Sequence, residues 1–317
     1  MGMPAAVIAK VAGDGRIVGG IAFVSYKLPL GLGKVVVVPH GPVLRPGSGV
    51  EFDDIFKDLA ACCRANNVLY VQVWPHAKLG DEGTINRYYQ AGFTGPQLFH
   101  AHTFSSDLLA IDIKTQSEEQ VLASARKQTR YYCRCARKAP LQLCLGTSAG
   151  FLKECHELWV ETLRHHGAKA RPLASYQICL DHLIKKGLGV LIQARHGDVV
   201  VGALAMLFAG GIATYLMAGI RREYSKLAPS EFLHLSAMQI ARERGQRIYD
   251  LNNWSTPEGA QFKRGFRPVA TIWAPPCSLI LRPTMSKIVS WGEQYARGCL
   301  RSMARRKAVK ARSSGEE

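Results

Sequence analysis

The chain has 317 residues, 47% of them hydrophobic and 21% charged. That composition excludes an intrinsically disordered chain and allows roughly two domains, each with a core of its own. Lys and Arg number 41 against 24 Asp and Glu, a formal net charge of +17 that argues for an anionic partner: nucleic acid, a phosphorylated metabolite or an anionic membrane surface.

The nine cysteines include no Cys-x-x-Cys pair, and Cys155 and Cys179 sit within apolar or helical stretches. Free thiols in a reducing compartment are expected, rather than disulfides or a zinc site. Met1 to Ala12 lacks the apolar core of a signal peptide, and no stretch approaches the ~18 unbroken apolar residues of a spanning helix. A cytoplasmic protein is therefore expected.

In chain order, Val7 to Val11, a Gly13-Asp14-Gly15 turn and Ile17 to Val24 read as a β-hairpin. A β-branched strand follows at Lys34 to Val38. Phe52, Ile55, Phe56, Leu59 and Cys63 then fall at helical spacing. Leu69 to Trp74 is the next strand, and a short helix ends at Gly92-Phe93. The same order returns further on. Val190 to Ala194, a Gly197-Asp198 turn and Val199 to Phe208 form a second hairpin, followed by a strand at Ile212 to Met217. Phe232, Leu235, Met238 and Ala241 mark a helix, Ile248 to Leu251 a strand, and a last short helix ends at Gly265-Phe266. One hairpin is weak evidence, but the same string of elements twice is a duplication. The order is that of acetyltransferase-like folds. An α/β protein is predicted: a tandem duplication of an acetyltransferase-like (GNAT) mixed-sheet unit with helices on both faces.

Between the copies lie three predicted helices, at Ser117 to Ala139, Phe151 to His165 and Ser175 to Lys186. The domains are placed at 1–114, 115–274 with the helical insertion, and 275–317. In the last, Ile288, Trp291, Tyr295, Cys299 and Met303 form one apolar face of a basic helix, with Ser313 to Glu317 as a disordered tail. That helix suits peripheral membrane contact or RNA.

Coenzyme A enzymes of this fold bind pyrophosphate on a Gly-rich loop at a helix N-terminus. The corresponding segment of the second copy, Arg221 to Ser230, has no glycine. The first copy has glycines between Gly41 and Gly49, but prolines interrupt them. Neither looks built for coenzyme A, and no cofactor or metal is expected.

Several segments resemble the Fem aminoacyltransferases, twin acetyltransferase-like proteins that move an amino acid from aminoacyl-tRNA to the amine of a cell-wall (peptidoglycan) precursor peptide. These are Pro39-His-Gly-Pro-Val43, Arg126 to Arg130 with Ala136-Arg-Lys138, His165 to Pro172, Tyr249-Asp-Leu251 and Phe262-Lys-Arg-Gly-Phe266. The resemblance runs from about Val7 to Ala274 and implies a peptide-bond-forming aminoacyltransferase with aminoacyl-tRNA as co-substrate and no other cofactor.

The resemblance places Lys263 beside the reacting ester, where a cation would stabilise the oxyanion. Phe262 packs next to it, with its carbonyl available to the incoming amine. Arg171 takes the position that holds precursor phosphates, which suits a planar guanidinium. Tyr215, Tyr224 and Asn253 are assigned to substrate binding; Asn252 and Asn253 stand where relatives often carry two glycines. Arg130, Arg134, Arg137 and Lys138 share a basic helix that could follow a tRNA backbone by charge. Asp250 reads as a cap rather than a base. His165-His166 lacks a recognisable third metal ligand, and His100-x-His102 reads as surface.

Two departures bear on the acceptor. Relatives have a further N-terminal segment whose lysine contacts the precursor, and Trp74 stands where they often have an acid. An amine-bearing small peptide or metabolite is thus as open as a wall precursor. An acyl-coenzyme A-dependent N-acyltransferase and a non-catalytic RNA- or membrane-binding protein are the alternative readings.

Overall fold

A computed structural model describes residues 4–28, 31–95, 107–253, 257–289 and 291–292. The first copy runs β1 (Ala5–Val11), β2 (Ile17–Lys27), β3 (Lys34–Val38), β4 (Val43–Leu44), α1 (Phe52–Ala65), β5 (Val68–Val73) and α2 (Glu82–Gln90). The chain continues through β6 (Asp107–Asp112), α3 (Glu118–Ser124), α4 (Lys127–Lys138), β7 (Gln142–Gly146), α5 (Ala149–His165) and α6 (Leu173–His182). The second copy is β8 (Gly189–His196), β9 (Val199–Ala209), β10 (Ile212–Ile220), α7 (Pro229–Glu243), β11 (Ile248–Asp250) and α8 (Pro257–Gly265), followed by β12 (Val269–Ile272) and β13 (Cys277–Ile280).

The repeated strings form two separate sheets. One has the order β1-β2-β3-β5-β13 with β4 on β2, the other β12-β6-β11-β10-β9-β8-β7. Both contain the predicted hairpin, and both place their helix-linked strands side by side and parallel, β3 with β5 and β10 with β11. The duplication is therefore real in three dimensions.

The sequence reading placed the boundary at 114/115. The two compact units are residues 1–106 with 272–317, and 107–271. The reason is an exchange of strands. β6 follows the Gly-Phe of the first copy but pairs antiparallel with β11, and β13 follows that of the second copy but pairs antiparallel with β5.

In the first unit, Ile55, Phe56, Leu59 and Cys63 of α1 bury against Ile21, Val36, Val38, Val71 and Val73. The opposite face carries Val35, Val37, Tyr70 and Trp74, with Met285 and Val289 packed on it from a helix that begins at residue 283. That helix thus uses a different stripe from the predicted one: Ile288 and Trp291 are exposed. Tyr295, Cys299, Met303 and the tail lie outside the described residues, as do His100 and His102.

In the second unit, alternation along β8 and β9 sends Val190, Ile192, Leu204 and Met206 toward α3, α4 and α7. Leu191, Ala203 and Ala205 turn the other way, toward Trp159 and Leu180 of α5 and α6. The result is a sheet covered on both faces. α5 approaches β10 closely enough that a Cβ on Gly219 would lie 2.6 Å from the Leu158 carbonyl oxygen and 2.8 Å from Thr162 Oγ1. Backbone cannot yield as a side chain can, so Gly219→Ala should cost ~1–3 kcal/mol, read as a lower urea midpoint at unchanged m-value.

The single helix predicted over Ser117 to Ala139 is two. α3 opens with a capping box between Ser117 and Gln120 and stops at Ala125, whose ψ is 160°. The Arg130 guanidinium then donates to the Ala123 and Ala125 carbonyls at 3.1 and 2.6 Å, supplying a cation to the C-terminal end of α3. The third predicted helix begins at Leu173 and ends at His182, followed by a single 3-10 turn, Ile184–Lys186.

The described cysteines are all free. Burial pushes the thiols of Cys63, Cys133, Cys155 and Cys277 up to about 12, so these behave as small apolar groups. Among the described residues no helix is long and apolar enough to cross a membrane.

Candidate active site

The two parallel strand pairs differ in one respect. β3 and β5 stay paired along their length, from Lys34–Val68 to Val38–Val73, and the Trp74 amide still donates to Val38 at 2.9 Å. β10 and β11 pair only from Ile212–Ile248 to Thr214–Asp250. Beyond that point β10 continues alone on β9, with a register shift between Tyr215 and Met217. A bulge re-aims side chains, and here it falls where the strands part. The second unit therefore has an open slot at the carboxyl ends of its parallel strands, a common place for a ligand in mixed sheets.

Asn252 shapes the slot. Its φ of 61° lies in the left-handed region, which asparagine tolerates and most residues do not. Its side-chain amide donates to the Tyr215 carbonyl at 3.1 Å, taking the hydrogen bond that a longer β11 would have made. Its side-chain oxygen accepts from the Asn253 amide at 2.8 Å. Asp250 closes the other side: Oδ1 accepts from the Leu109 and Asn252 amides at 3.1 and 2.8 Å. Burial nonetheless raises its pKa, with these amides opposing. The carboxylate clamps β6 to the end of β11, as a cap would.

Lys263 reaches this slot from α8. The side chain is only 4% exposed. Its Nζ donates to the Asn253 carbonyl at 2.5 Å and stands 5.3 Å from the centroid of the Tyr215 ring. Burial pushes the ammonium down to about 8, with Asp250 pulling back upward. One carbonyl accepts from it, which leaves further N–H groups to offer to an anion. α8 itself is held by close approach to α4. A Cβ on Gly265 would meet Thr129 Oγ1 at 2.1 Å, and the Arg126 amide donates to the Gly265 carbonyl at 2.8 Å.

Aromatic rings line the same region. His234 of α7 stacks on Tyr215, Phe262 and Phe266 at centroid distances of 5.0, 5.1 and 6.2 Å, and its Nδ1 lies 2.7 Å from the Tyr249 hydroxyl. Burial, then the charge of Lys263, pushes His234 down to about 3, so the ring is neutral. Burial also pushes the Tyr215 hydroxyl up to about 12. The ammonium thus sits among buried, neutral aromatic rings, with the Asp250 carboxyl acting on it from the end of β11. Sequence reading missed His234, which falls on a position whose periodicity reads as core, and took Tyr249 only as part of a strand motif.

The other predicted residues are spread wider. Phe262 packs between His234 and Phe266. Asn253 is exposed and supplies the carbonyl on Lys263. Arg171 is exposed in the loop before α6, where its carbonyl oxygen lies 2.9 Å from His156 Nε2. Burial raises the Tyr176 hydroxyl while the Arg171 charge opposes it, and Tyr176 in turn acts on Tyr215. Tyr224 instead packs on His196, 5.8 Å between centroids. On α4, Arg130 is committed to the α3 carbonyls and Arg137 to Glu118, while Arg134 and Lys138 are exposed. His166 pairs with Glu258 at 3.7 Å, and no metal-binding cluster occurs among the described residues.

The N-terminus of α7 is where a pyrophosphate would be expected. Pro229 has no amide to give, Ala228 donates its own amide to the Ser225 carbonyl, and the Glu231 carboxyl stands in the first turn. Burial raises the pKa of that carboxyl. A side-chain acid thus stands at the anion position of the first turn.

Sheet order, duplication and slot define a tandem acetyltransferase (GNAT) fold, and residues 123–264 match the acetyltransferase (GNAT) domain family model. Within that class the fold is Fem-like. A crystal structure of FemX superimposes with a TM-score of 0.78 over 91% of each chain, at 15% identity. The C-terminal domain (DUF2156) of a putative lysylphosphatidylglycerol synthetase from Agrobacterium fabrum matches at 0.55, 14% identity, over 89% of this chain and 87% of that one. A tandem GNAT protein from the clavulanic acid biosynthesis pathway matches at 0.51, 14% identity, over 87% and 83%. No curated protein sequence matches the chain.

Proposed function

We propose that the protein is an aminoacyltransferase that moves an amino acid from aminoacyl-tRNA to the amine of a peptide or cell-wall precursor, forming an amide bond. The observation that carries this reading is the buried Lys263 ammonium at the mouth of the β10/β11 slot. The match to an acetyltransferase domain model supports acyl transfer, and the likeness to FemX supports the Fem-like choice of donor. The occupied first turn of α7 disfavours coenzyme A as that donor.

In this mechanism the acceptor amine attacks the ester carbonyl carbon, forming the C–N bond. Lys263 offers its N–H groups to the oxygen on which negative charge develops, in a setting dry enough to make that contact strong. Collapse breaks the C–O bond to the ribose; a lysine whose pKa lies near 8 can pass a proton to that leaving oxygen and regain one from the proton that the attacking nitrogen releases. The Arg171 guanidinium holds acceptor phosphate, and Tyr215 walls the slot. The ester is already activated, so neither ATP nor a metal enters the scheme.

The test is transfer from a mixture of radiolabelled aminoacyl-tRNAs to a panel of amines that includes wall precursors. Product is expected with at least one pair. Saturable turnover of acetyl-coenzyme A, with no transfer from any aminoacyl-tRNA, would replace this reading with an acyl-coenzyme A enzyme.

A further inference from the structure

We infer that the outer face of α4 is a docking surface for single-stranded RNA, on which Tyr131 and Tyr132 stack bases. The inference deepens the proposed function, resting on it for the source of the RNA but not for the binding itself.

α4 buries Cys133 and Ala136 and sets Thr129 against α8. The opposite side carries Tyr131, with Tyr132 beside it about 100° round the helix, and neither ring belongs to a core cluster. Tyr131 is 58% exposed and Tyr132 38%, and they meet at 5.4 Å with an interplanar angle of 70°. Lys127, Tyr131, Arg134 and Lys138 follow one another at intervals of four, three and four residues, which places them in one stripe about 16 Å long. The helix has no acidic residue. None of the three cations on the stripe forms an ion pair among the described residues.

Cations that run along a strand together with exposed aromatic faces are what an unpaired nucleic acid recognises: phosphates meet the charges and bases meet the rings. A duplex keeps its bases stacked on one another and has no use for the tyrosines. An anionic membrane would meet the same charges, but the stripe has no Leu, Ile, Phe or Trp to enter the acyl region. The position is also apt, because the amide of Arg126, at the start of α4, donates to Gly265 on the helix that carries Lys263. RNA held along α4 would therefore lie in the same unit as the slot.

The experiment is fluorescence anisotropy with the full chain and a labelled single-stranded oligoribonucleotide of about ten residues, over a range of salt. Tyr131→Ala/Tyr132→Ala is compared with Tyr131→Phe/Tyr132→Phe, and thermal melting confirms that each is folded. The alanine pair should bind about tenfold or more weakly at every salt concentration, and the phenylalanine pair should bind as the parent does. Lys127→Ala and Lys138→Ala should each lower the slope of log affinity against log salt by about 1. Unchanged binding by the alanine pair overturns the inference. So does an alanine pair that binds RNA normally but loses affinity for vesicles of phosphatidylglycerol. Aminoacyl transfer is measured in parallel. Stacking-dependent RNA binding without transfer from any aminoacyl-tRNA would leave this surface standing and remove the donor reading. Transfer with tyrosine-independent binding would do the reverse.

Discussion

Lys263→Met is expected to abolish most of the activity and make the protein more stable. Loss of one donor to a developing oxyanion typically lowers kcat by about 10²–10³-fold, and methionine has no proton to give. The stability gain follows from burial. An ordinary lysine titrates near 10.5, and this one is pushed down to about 8. Below about 8 the lysine is charged in both folded and unfolded chains, and the folded state bears the full cost of burying it, roughly 3 kcal/mol. Between 8 and 10.5 the unfolded chain binds more protons than the folded one, so stability rises with pH across that window. Urea unfolding of the two proteins at pH 7 and pH 10 measures this. The variant should be the more stable at pH 7, and the gap should narrow toward pH 10. A variant less stable at both values would mean that Lys263 is a structural support rather than a strained catalytic group.

The second large effect lies on the acid side. His234 is pushed down to about 3 from an ordinary value near 6.5. As pH falls through 6.5 the unfolded chain takes up a proton that the folded chain refuses. Stability is therefore lost at about 1.4 kcal/mol per pH unit down to about 3. At pH 5 the loss from this one ring is roughly 2 kcal/mol. His234→Gln has nothing to protonate and can still face the Tyr249 hydroxyl. Between pH 7.5 and pH 5 its unfolding free energy should fall less than that of the parent by that amount. Asp250, whose pKa is raised by burial, works in the opposite direction, but it is present in both proteins and drops out of the difference. Equal acid slopes would mean that the imidazole is hydrated and titrates normally.

Much of this molecule was legible in its sequence, for physical reasons that can be named. Hairpins announce themselves through Gly/Asp turns between apolar runs, and α1 through a stripe from Phe52 to Cys63; written twice, these fixed the fold. β6 and β13 were not legible. Asp107–Asp112 and Cys277–Ile280 are short, and nothing local tells a strand which sheet will receive it. The break between α3 and α4 was hidden because neither Ala125 nor Arg126 is a helix breaker. It is made by a tertiary bond from Arg126 to Gly265 and by the Arg130 side chain reaching back to the Ala125 carbonyl. Lys263 could be singled out only by resemblance, since a lysine after a phenylalanine on a short helix looks like surface. Its burial depends on where β10 and β11 part, and that lies in backbone register rather than composition.

The exchange of β6 and β13 has a consequence for how the protein is made. Translation delivers the second unit whole once Thr271 has emerged, whereas the first unit must wait for Cys277–Ile280, the last strand among the described residues. Until then β5 has β3 on one side and a bare edge on the other, and every residue of that strand is buried in the finished protein. An unpaired apolar edge is a template for other chains. A ribosome stalled just short of Cys277 would therefore carry a completed second unit together with a first unit whose β5 edge is still bare.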